Sequence, residues 1–374
     1  RIWKKSSSRK NENTGDGYYL ALNAGCKLVD MEMVQFHPSG MLFPEEFEGT
    51  LVTEAVRGEG GKLFNNKGER FMINYDNERM ELSTRDKVAL ANYNEIKEGR
   101  GTKKGGVYLD ISHKSKDFII EKLPSIYKQF LEIQMLDISK SPMEVAPTAH
   151  YSMGGILVDP NNLSTSVKGL FAAGEVAGGL HGANRLGGNS LAEILVFGKR
   201  AGLASINYSK KLNQQERSSK AINSAHENIN KFIKNGTELV RPLHYELRQI
   251  MWENCGVIKS KDLLNIGLDK IRFIKTKLKD IDIRINEHSC EDLSLIFDLQ
   301  SSLISAEATI LSALERNESR GAHQRSDFQR TDPKCEFNCL IQMDQTSQKL
   351  KVSKSTLKKL NKPLQNFVNI SSRE

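Results

Sequence analysis

A chain of 374 residues exceeds what one hydrophobic core usually serves, so more than one folding unit is expected. With 38% hydrophobic and 27% charged residues the balance is globular, no apolar run approaches the ~18 residues of a membrane span, and the basic opening lacks the apolar core of a secretory signal. The formal charge of +8 fits a solvated basic surface or attraction to anions, while dispersed lysines without an aromatic-rich basic strand argue against nucleic acid.

In chain order, the first element is a short helix over 16–24, with Thr14 or Asp16 as its cap and Gly25 as its stop. A strand over 31–36 follows. Residues 51–115 mix short strands with tight turns, including a turn at 64–69 and a strand at 107–111. Helical spacing of apolar residues spans 117–133, and Pro142 and Pro147 mark a linker. Two strands are expected at 155–158 and 169–173, the second ending at Gly174 and Glu175. A helix from Ser190 to about residue 205 is apolar on most faces, which predicts burial. Beyond residue 207 the chain turns to long amphipathic helices. One carries Leu264, Leu268, Ile271, Ile274 and Leu278 at the 3.6-residue period, and another covers 291–316. A hairpin at 339–343 and 349–352 closes the pattern.

Five cysteines without a C-x-x-C pair indicate neither a disulfide framework nor a zinc site, and no metal ligands are assigned. A reducing, cytoplasmic compartment fits this usage. The candidate chemistry lies with arginine, whose planar fork matches a carboxylate and stays charged at any working pH. Arg57, Arg85 and Arg185 each sit in a glycine- or turn-rich context. Any one of them alone fits a surface salt bridge. Together with His37 in Phe-His-Pro and His150 in Ala-His-Tyr-Ser they outline an anion site. Ser190 opens a helix after a glycine loop, which suits either plain capping or an anionic ring held at the helix N-terminus. Glu175, at a strand end, is placed to accept hydrogen bonds from ribose hydroxyls. No G-x-G-x-x-G fingerprint occurs.

Nine ordered blocks resemble the flavoprotein subunit of succinate dehydrogenase and fumarate reductase. They are Asn-Thr-Gly-Asp-Gly (13–17), Met-Val-Gln-Phe-His-Pro (33–38), Thr-Glu-Ala-Val-Arg-Gly-Glu-Gly-Gly (53–61), Arg-Asp-Lys-Val (85–88), Tyr-Leu-Asp-Ile-Ser-His (108–113), Pro-Thr-Ala-His-Tyr-Ser-Met-Gly-Gly (147–155), Gly-Leu-Phe-Ala-Ala-Gly-Glu (169–175), His-Gly-Ala-Asn-Arg-Leu-Gly-Gly-Asn-Ser-Leu-Ala-Glu (181–193) and Glu-Ser-Arg-Gly-Ala-His-Gln-Arg (318–325). The resemblance implies an α/β + α fold. A partial Rossmann-like FAD-binding domain (1–33 and 144–206) would carry an inserted α+β capping domain (34–143), a helical domain (207–325) and a small C-terminal β-containing tail (326–374).

It also implies roles. Arg85 matches the arginine that exchanges a proton with the substrate carbon while hydride moves between the other carbon and FAD. Glu54 and Arg57 match a relay from Arg85 to solvent. His37, Thr53, His150 and Arg185 match ligands of the dicarboxylate, succinate or fumarate. Asp16, Glu175, Ser190 and the Leu191 backbone match FAD contacts. The implied partners are membrane anchor subunits together with an iron–sulfur subunit, which would place the protein peripherally on the cytoplasmic face of the membrane. The family's glycine-rich nucleotide fingerprint and its FAD-tethering histidine lie in an N-terminal segment upstream of these blocks. The chain, which does not open with Met, is therefore expected to correspond to the C-terminal part of the subunit. Alone, it is expected neither to hold FAD nor to turn over. Two alternatives stand beside this reading. One is L-aspartate oxidase, which Tyr-Leu-Asp-Ile-Ser-His and Asn-Asn-Lys-Gly-Glu-Arg-Phe also resemble, although Asn-Arg-Leu-Gly-Gly-Asn and His-Tyr-Ser-Met-Gly-Gly favour the dehydrogenase. The other is an inactive fragment that keeps only partner-binding surfaces.

Overall fold

Gly15, at φ 101°, turns the chain into the first helix, α1 (Asp16–Asn23). Only glycine fits there: a Cβ would lie 2.0 Å from Ser305 Oγ. The computed structural model describes residues 1–8, 12–213, 218–283, 290–357 and 362–365. The expected side-chain cap of α1 is absent, because the Thr14 hydroxyl donates to Asp16 Oδ2 at 2.7 Å instead. Gly25, at φ 94°, ends the segment as expected, and Cys26 N–H reaches back to the Ala21 carbonyl at 2.9 Å.

Two antiparallel sheets follow. The strand expected at 31–36 starts only at Val34, because 30–33 form a turn in which Asp30 takes φ 51° and its carbonyl accepts from Met33 N–H at 3.0 Å. On either side lie β1 (Lys27–Val29) and the wholly buried β2 (Val34–Met41). β2 joins β3 (Lys62–Phe64), β4 (Val107–Asp110) and β5 (Met143–Ser152) in the order β2-β5-β4-β3. The linker expected at Pro142 and Pro147 is thus an inner strand. It survives its proline because the β2–β5 register shifts between His37 and Gly40, a bulge beside Pro147 and Pro38 where the ladder does not need either missing N–H. The other sheet, in the order β10-β9-β1-β6, unites β1 and β6 (Gly155–Ile156) with a C-terminal hairpin. β7 (Ile258–Lys259) and β8 (Gln324–Arg325) form a short parallel pair, and β9 (Phe337–Met343) and β10 (Leu350–Thr356) form that hairpin. The strand expected at 169–173 reduces to one bridge between Ser164 and Phe171, since Gly169 and Gly174 on either side both adopt φ 83°.

The helices are α2 (Ala55–Gly58), α3 (Arg85–Lys97), α4 (Lys116–Lys122), α5 (Pro124–Gln134), α6 (Asn189–Ser209), α7 (Ser219–Asn230), α8 (Val240–Asn254), α9 (Lys261–Lys277) and α10 (Glu291–Glu315). The single helix expected over 117–133 is two. Pro124 forces Leu123 out of the helical region, to φ −131° and ψ 45°, and then starts α5. α8, α9 and α10 bury Leu247, Leu264, Ile271, Ile274 and Leu303 against one another, as the periodicity predicts. That core continues through Trp3 to Phe36 on β2.

The burial expected of α6 is overturned. Glu193 is its one buried residue, while Leu191, Leu195 and Leu203 are 67%, 73% and 53% exposed. The apolar stripe is real, but no described element lies over it. Among the described residues no helix is long and apolar enough to cross a membrane, and no group of three or more His, Cys, Asp or Glu could hold a metal. All five cysteines are free, and only Cys290 is exposed.

Candidate active site

Arg85 begins α3, which packs on β2, so its guanidinium reaches back over the sheet. It grips Glu54 with a fork: Nε donates to Oε2 at 2.8 Å and Nη2 to Oε1 at 2.7 Å. Glu54 immediately precedes α2, and Arg57 Nη2 lies 3.8 Å from its Oε2. Arg57 is itself buried and donates to the Glu81 carbonyl at 2.6 Å. The bonds from Arg85 hold the Glu54 carboxyl below its ordinary range, aided by the charges of Arg57 and Arg185. Glu54 is 42% exposed, so the carboxylate between the buried Arg57 and the largely buried Arg85 is the point where this cluster meets water. The glycine loop closes over it. A Cβ on Gly187 would lie 2.8 Å from Glu54 Oε1 and 3.3 Å from Arg85 Nη2.

Arg185 lies deeper, 3% exposed, and no ion pair reaches it among the described residues. Its bonds go to neutral oxygens: Gln35 Oε1 at 3.1 Å, and Ser190 Oγ and the Leu186 carbonyl at 3.4 Å. Its Nε has no partner, and its guanidinium carbon stands 4.2 Å over the Tyr151 ring. A buried cation with an idle donor and no carboxylate is prepared for an anion from outside. Gln35, fully buried, ties the two cations together. Its Oε1 also accepts from Arg85 Nη1 at 3.4 Å, and its Nε2 donates to Asn184 Oδ1 at 2.8 Å and to the Arg185 carbonyl at 2.6 Å.

His37 on β2 and His150 on β5 face each other with ring centroids 5.3 Å apart. His37 Nδ1 meets the backbone of Ser39, at 3.1 Å from its carbonyl and 3.2 Å from its N–H, which fixes the ring against the β2 bulge. His150 Nδ1 meets Ser7 Oγ at 3.0 Å. Both imidazoles are held neutral. Burial and the nearby His150 depress His37 far below its usual pKa, and burial with Arg185 and Arg85 takes His150 down to about 3. Two guanidinium groups flanked by neutral imidazoles can bind two carboxylates.

The remaining residues singled out in the sequence divide. Thr53 adjoins Glu54, and its hydroxyl accepts from Ala55 N–H at 3.3 Å. Asp16 and Glu175 share a cavity of about 290 Å³ with Tyr18 and Ser152. Glu175 lies within a turn, closed by Ala177 N–H on the Gly174 carbonyl at 2.9 Å, rather than at a strand end. Its Oε1 accepts from Ser152 N–H at 3.0 Å and pairs with Arg1 at 2.6 Å. Ser190 does not start α6. Gly188, at φ 81°, leads into Asn189, and Ser190 turns its hydroxyl to Arg185, with Leu191 beside it in the solvent. Strand β5 links both places through His150 and Ser152. The motif reading passed over Gln35, Asn184 and Tyr151, although each lies inside or next to a quoted block.

The FAD binding domain family matches residues 4–191, and the fumarate reductase flavoprotein C-terminal family matches 244–368. In the fumarate reductase (CoM/CoB) of Methanothermobacter marburgensis, one subunit is 45% identical over 335 residues, which cover 90% of this chain and 60% of that protein. The succinate dehydrogenase flavoprotein subunit of Rickettsia conorii is 39% identical over 342 residues, covering 86% and 56%. Among solved structures, Mycobacterium smegmatis Sdh1 in complex with UQ1 superposes with a TM-score of 0.83 at 39% identity, covering 96% of this chain and 60% of that one. The chain therefore spans about 60% of the length of the curated relatives it matches.

Proposed function

Since this chain belongs to the flavoprotein-subunit family of succinate dehydrogenases and fumarate reductases, we propose that it interconverts succinate and fumarate as the substrate-holding part of an FAD enzyme. The observation that carries this reading is the meeting of Arg85, Arg185, His37 and His150 around Gln35 and strand β5. Arg185 and the neutral imidazoles bind the substrate carboxylates, with Thr53 contributing its hydroxyl. Arg85 exchanges a proton with one substrate carbon. An arginine is a poor acid in water, where its pKa exceeds ~12. Here Glu54 lies in its fork, half exposed to water with the buried Arg57 behind it, so the proton has a charged route outward through that carboxylate.

When bound, FAD supplies the hydride acceptor and donor. The residues fit such a group. The carboxylates of Asp16 and Glu175 face one cavity, as ribose hydroxyls need, and the first turn of α6 offers Ser190 and the exposed Leu191. The Arg85 fork, the Gln35 bridge and the Tyr151 shelf keep the diacid in one orientation toward that group. The bare apolar face of α6 supports further polypeptide lying against it, consistent with longer relatives. Electrons would pass to an iron–sulfur partner, with membrane anchor subunits placing the assembly peripherally at the membrane.

The test is calorimetric binding of succinate and of L-aspartate to the full chain, followed by turnover of an FAD-loaded assembly that contains this chain with Arg85→Gln. Selective succinate binding and a loss of turnover by about 10²–10⁴, with KM nearly kept, are expected. Preference for L-aspartate, or normal turnover in the variant, would overturn the assignment.

A further inference from the structure

Glu193 is a buried carboxylate on an otherwise exposed helix, and nothing in the reaction above uses it. It is 4% exposed and faces inward from the second turn of α6. One oxygen, Oε2, receives two donors. The Tyr151 hydroxyl makes a short bond to it, and His181 Nε2 lies 2.9 Å away. The same His181 ring meets the Tyr151 ring edge-on, with centroids 5.5 Å apart and planes at 77°. Tyr151 is therefore held at its hydroxyl and by a perpendicular ring. Burial and Glu193 raise the tyrosine's pKa, so the hydroxyl keeps its proton and remains a donor. The face left over lies under Arg185, at 4.2 Å.

Arg185 needs such a support. Its hydrogen bonds run only to neutral oxygens, two of them at 3.4 Å, and its Nε has none. A carboxylate placed directly on it would hold it more firmly but would occupy the fork that an incoming anion requires. A ring face holds the cation from behind and leaves its edge open. A tyrosine bonded to a carboxylate presents a more electron-rich face than a free one, because the hydroxyl is polarised toward the anion. The negative charge thus reaches Arg185 through the ring and does not compete for its donors.

We propose that Glu193 is a positioning residue: together with His181 it pins Tyr151 as the shelf on which Arg185 meets a substrate carboxylate. The proposal rests on the dicarboxylate reading above, and its test separates the two. Succinate affinity is measured by calorimetry on the full chain carrying Glu193→Ala, Glu193→Gln, Tyr151→Phe or Tyr151→Leu. In parallel, the rate at which phenylglyoxal modifies Arg185 is followed by mass spectrometry of the peptides, without any substrate.

Glu193→Ala and Tyr151→Leu should each weaken succinate about tenfold and speed labelling of Arg185 several-fold, as expected for loss of a desolvated cation–π support. Glu193→Gln, which keeps an acceptor for Tyr151, should restore most of both, to within about threefold of the parent. Tyr151→Phe keeps the face but loses the tether, so labelling should rise about twofold, with a matching small loss of affinity. Unchanged affinity and unchanged labelling in a folded Glu193→Ala would overturn the proposal. If that variant does not fold, Tyr151→Phe decides, and parental values for both readouts overturn it. Should the parent chain fail to bind succinate while labelling still responds to Glu193, the dicarboxylate reading falls and the shelf stands.

Discussion

Gly187→Ala is the sharpest perturbation of the proton route, because it adds one methyl group and no charge. That methyl carbon would sit 2.8 Å from Glu54 Oε1, where ordinary contact begins near 3.4 Å, so the carboxylate must retreat by about 0.6 Å. The retreat pulls apart the fork whose bonds measure 2.7 and 2.8 Å. A hydrogen bond between charged groups is worth about 1.5–3 kcal/mol, and the exposure of Glu54 reduces that to about 1–1.5 kcal/mol, close to tenfold in rate. Misplacement of Arg85 raises the ceiling, since a shift of about 1 Å costs up to about 10². Turnover of an FAD-loaded assembly that contains the chain, followed by succinate-dependent reduction of a dye, should fall about 10- to 100-fold. The melting temperature should barely move, because the clash is with the far end of a flexible side chain and Gly187 itself has no positive φ. A turnover within twofold of the parent would refute the reasoning, and so would a loss of stability that accounts for the lost activity.

Three further outcomes are expected. Arg316→Met strands Glu32, whose side chain is 0% exposed, while Glu318 keeps Arg320, and should cost about 3–5 kcal/mol and roughly 6–20 °C of melting temperature, partly regained by adding Glu32→Gln; an unchanged melt would contradict this. Arg100, Asn65 and Tyr75 take the Glu95 carboxyl down to about 2, so its stabilisation is complete above the unfolded value of 4.5 and fades as pH falls toward 2; Glu95→Gln should flatten that acid limb in pH-dependent melts. His150 is neutral in the folded protein down to about pH 3, so the unfolded chain takes up the extra proton below 6.5, and His150 withdraws stability as pH falls from there to 3. Succinate affinity should accordingly carry no step from His150 between pH 5 and 8, and His150→Gln should lower it about 3- to 10-fold, equally across that range; a step that disappears in the variant would count against a neutral imidazole.

Where local chemistry and packing agree, the elements could be read directly. The period of Leu264, Leu268, Ile271 and Ile274 gives α9, and Gly25 ends α1. The failures have physical causes. Pro147 looks like a break because a proline removes a ladder donor, yet a bulge shared with Pro38 makes that donor unnecessary. Pro124 divides a helix whose apolar period runs on unbroken. The apolar content of α6 implies a buried helix, but burial needs a neighbour, which no helix encodes in its own residues. At the candidate site the charged residues stood out because charge in a glycine-rich loop is conspicuous. Gln35 did not. A neutral amide gains significance only when the fold brings two guanidinium groups to its one oxygen.

The missing side chain at position 15 has a mechanical meaning. With Ser305 Oγ only 2.0 Å from where a methyl carbon would stand, the turn that presents Asp16 is wedged directly onto α10. No lubricating layer of side chains separates them, so the long helix and the cavity wall cannot slide independently. A strain applied to the far end of α10, for instance by a docked protein, would be felt at Asp16 with little slack along the way.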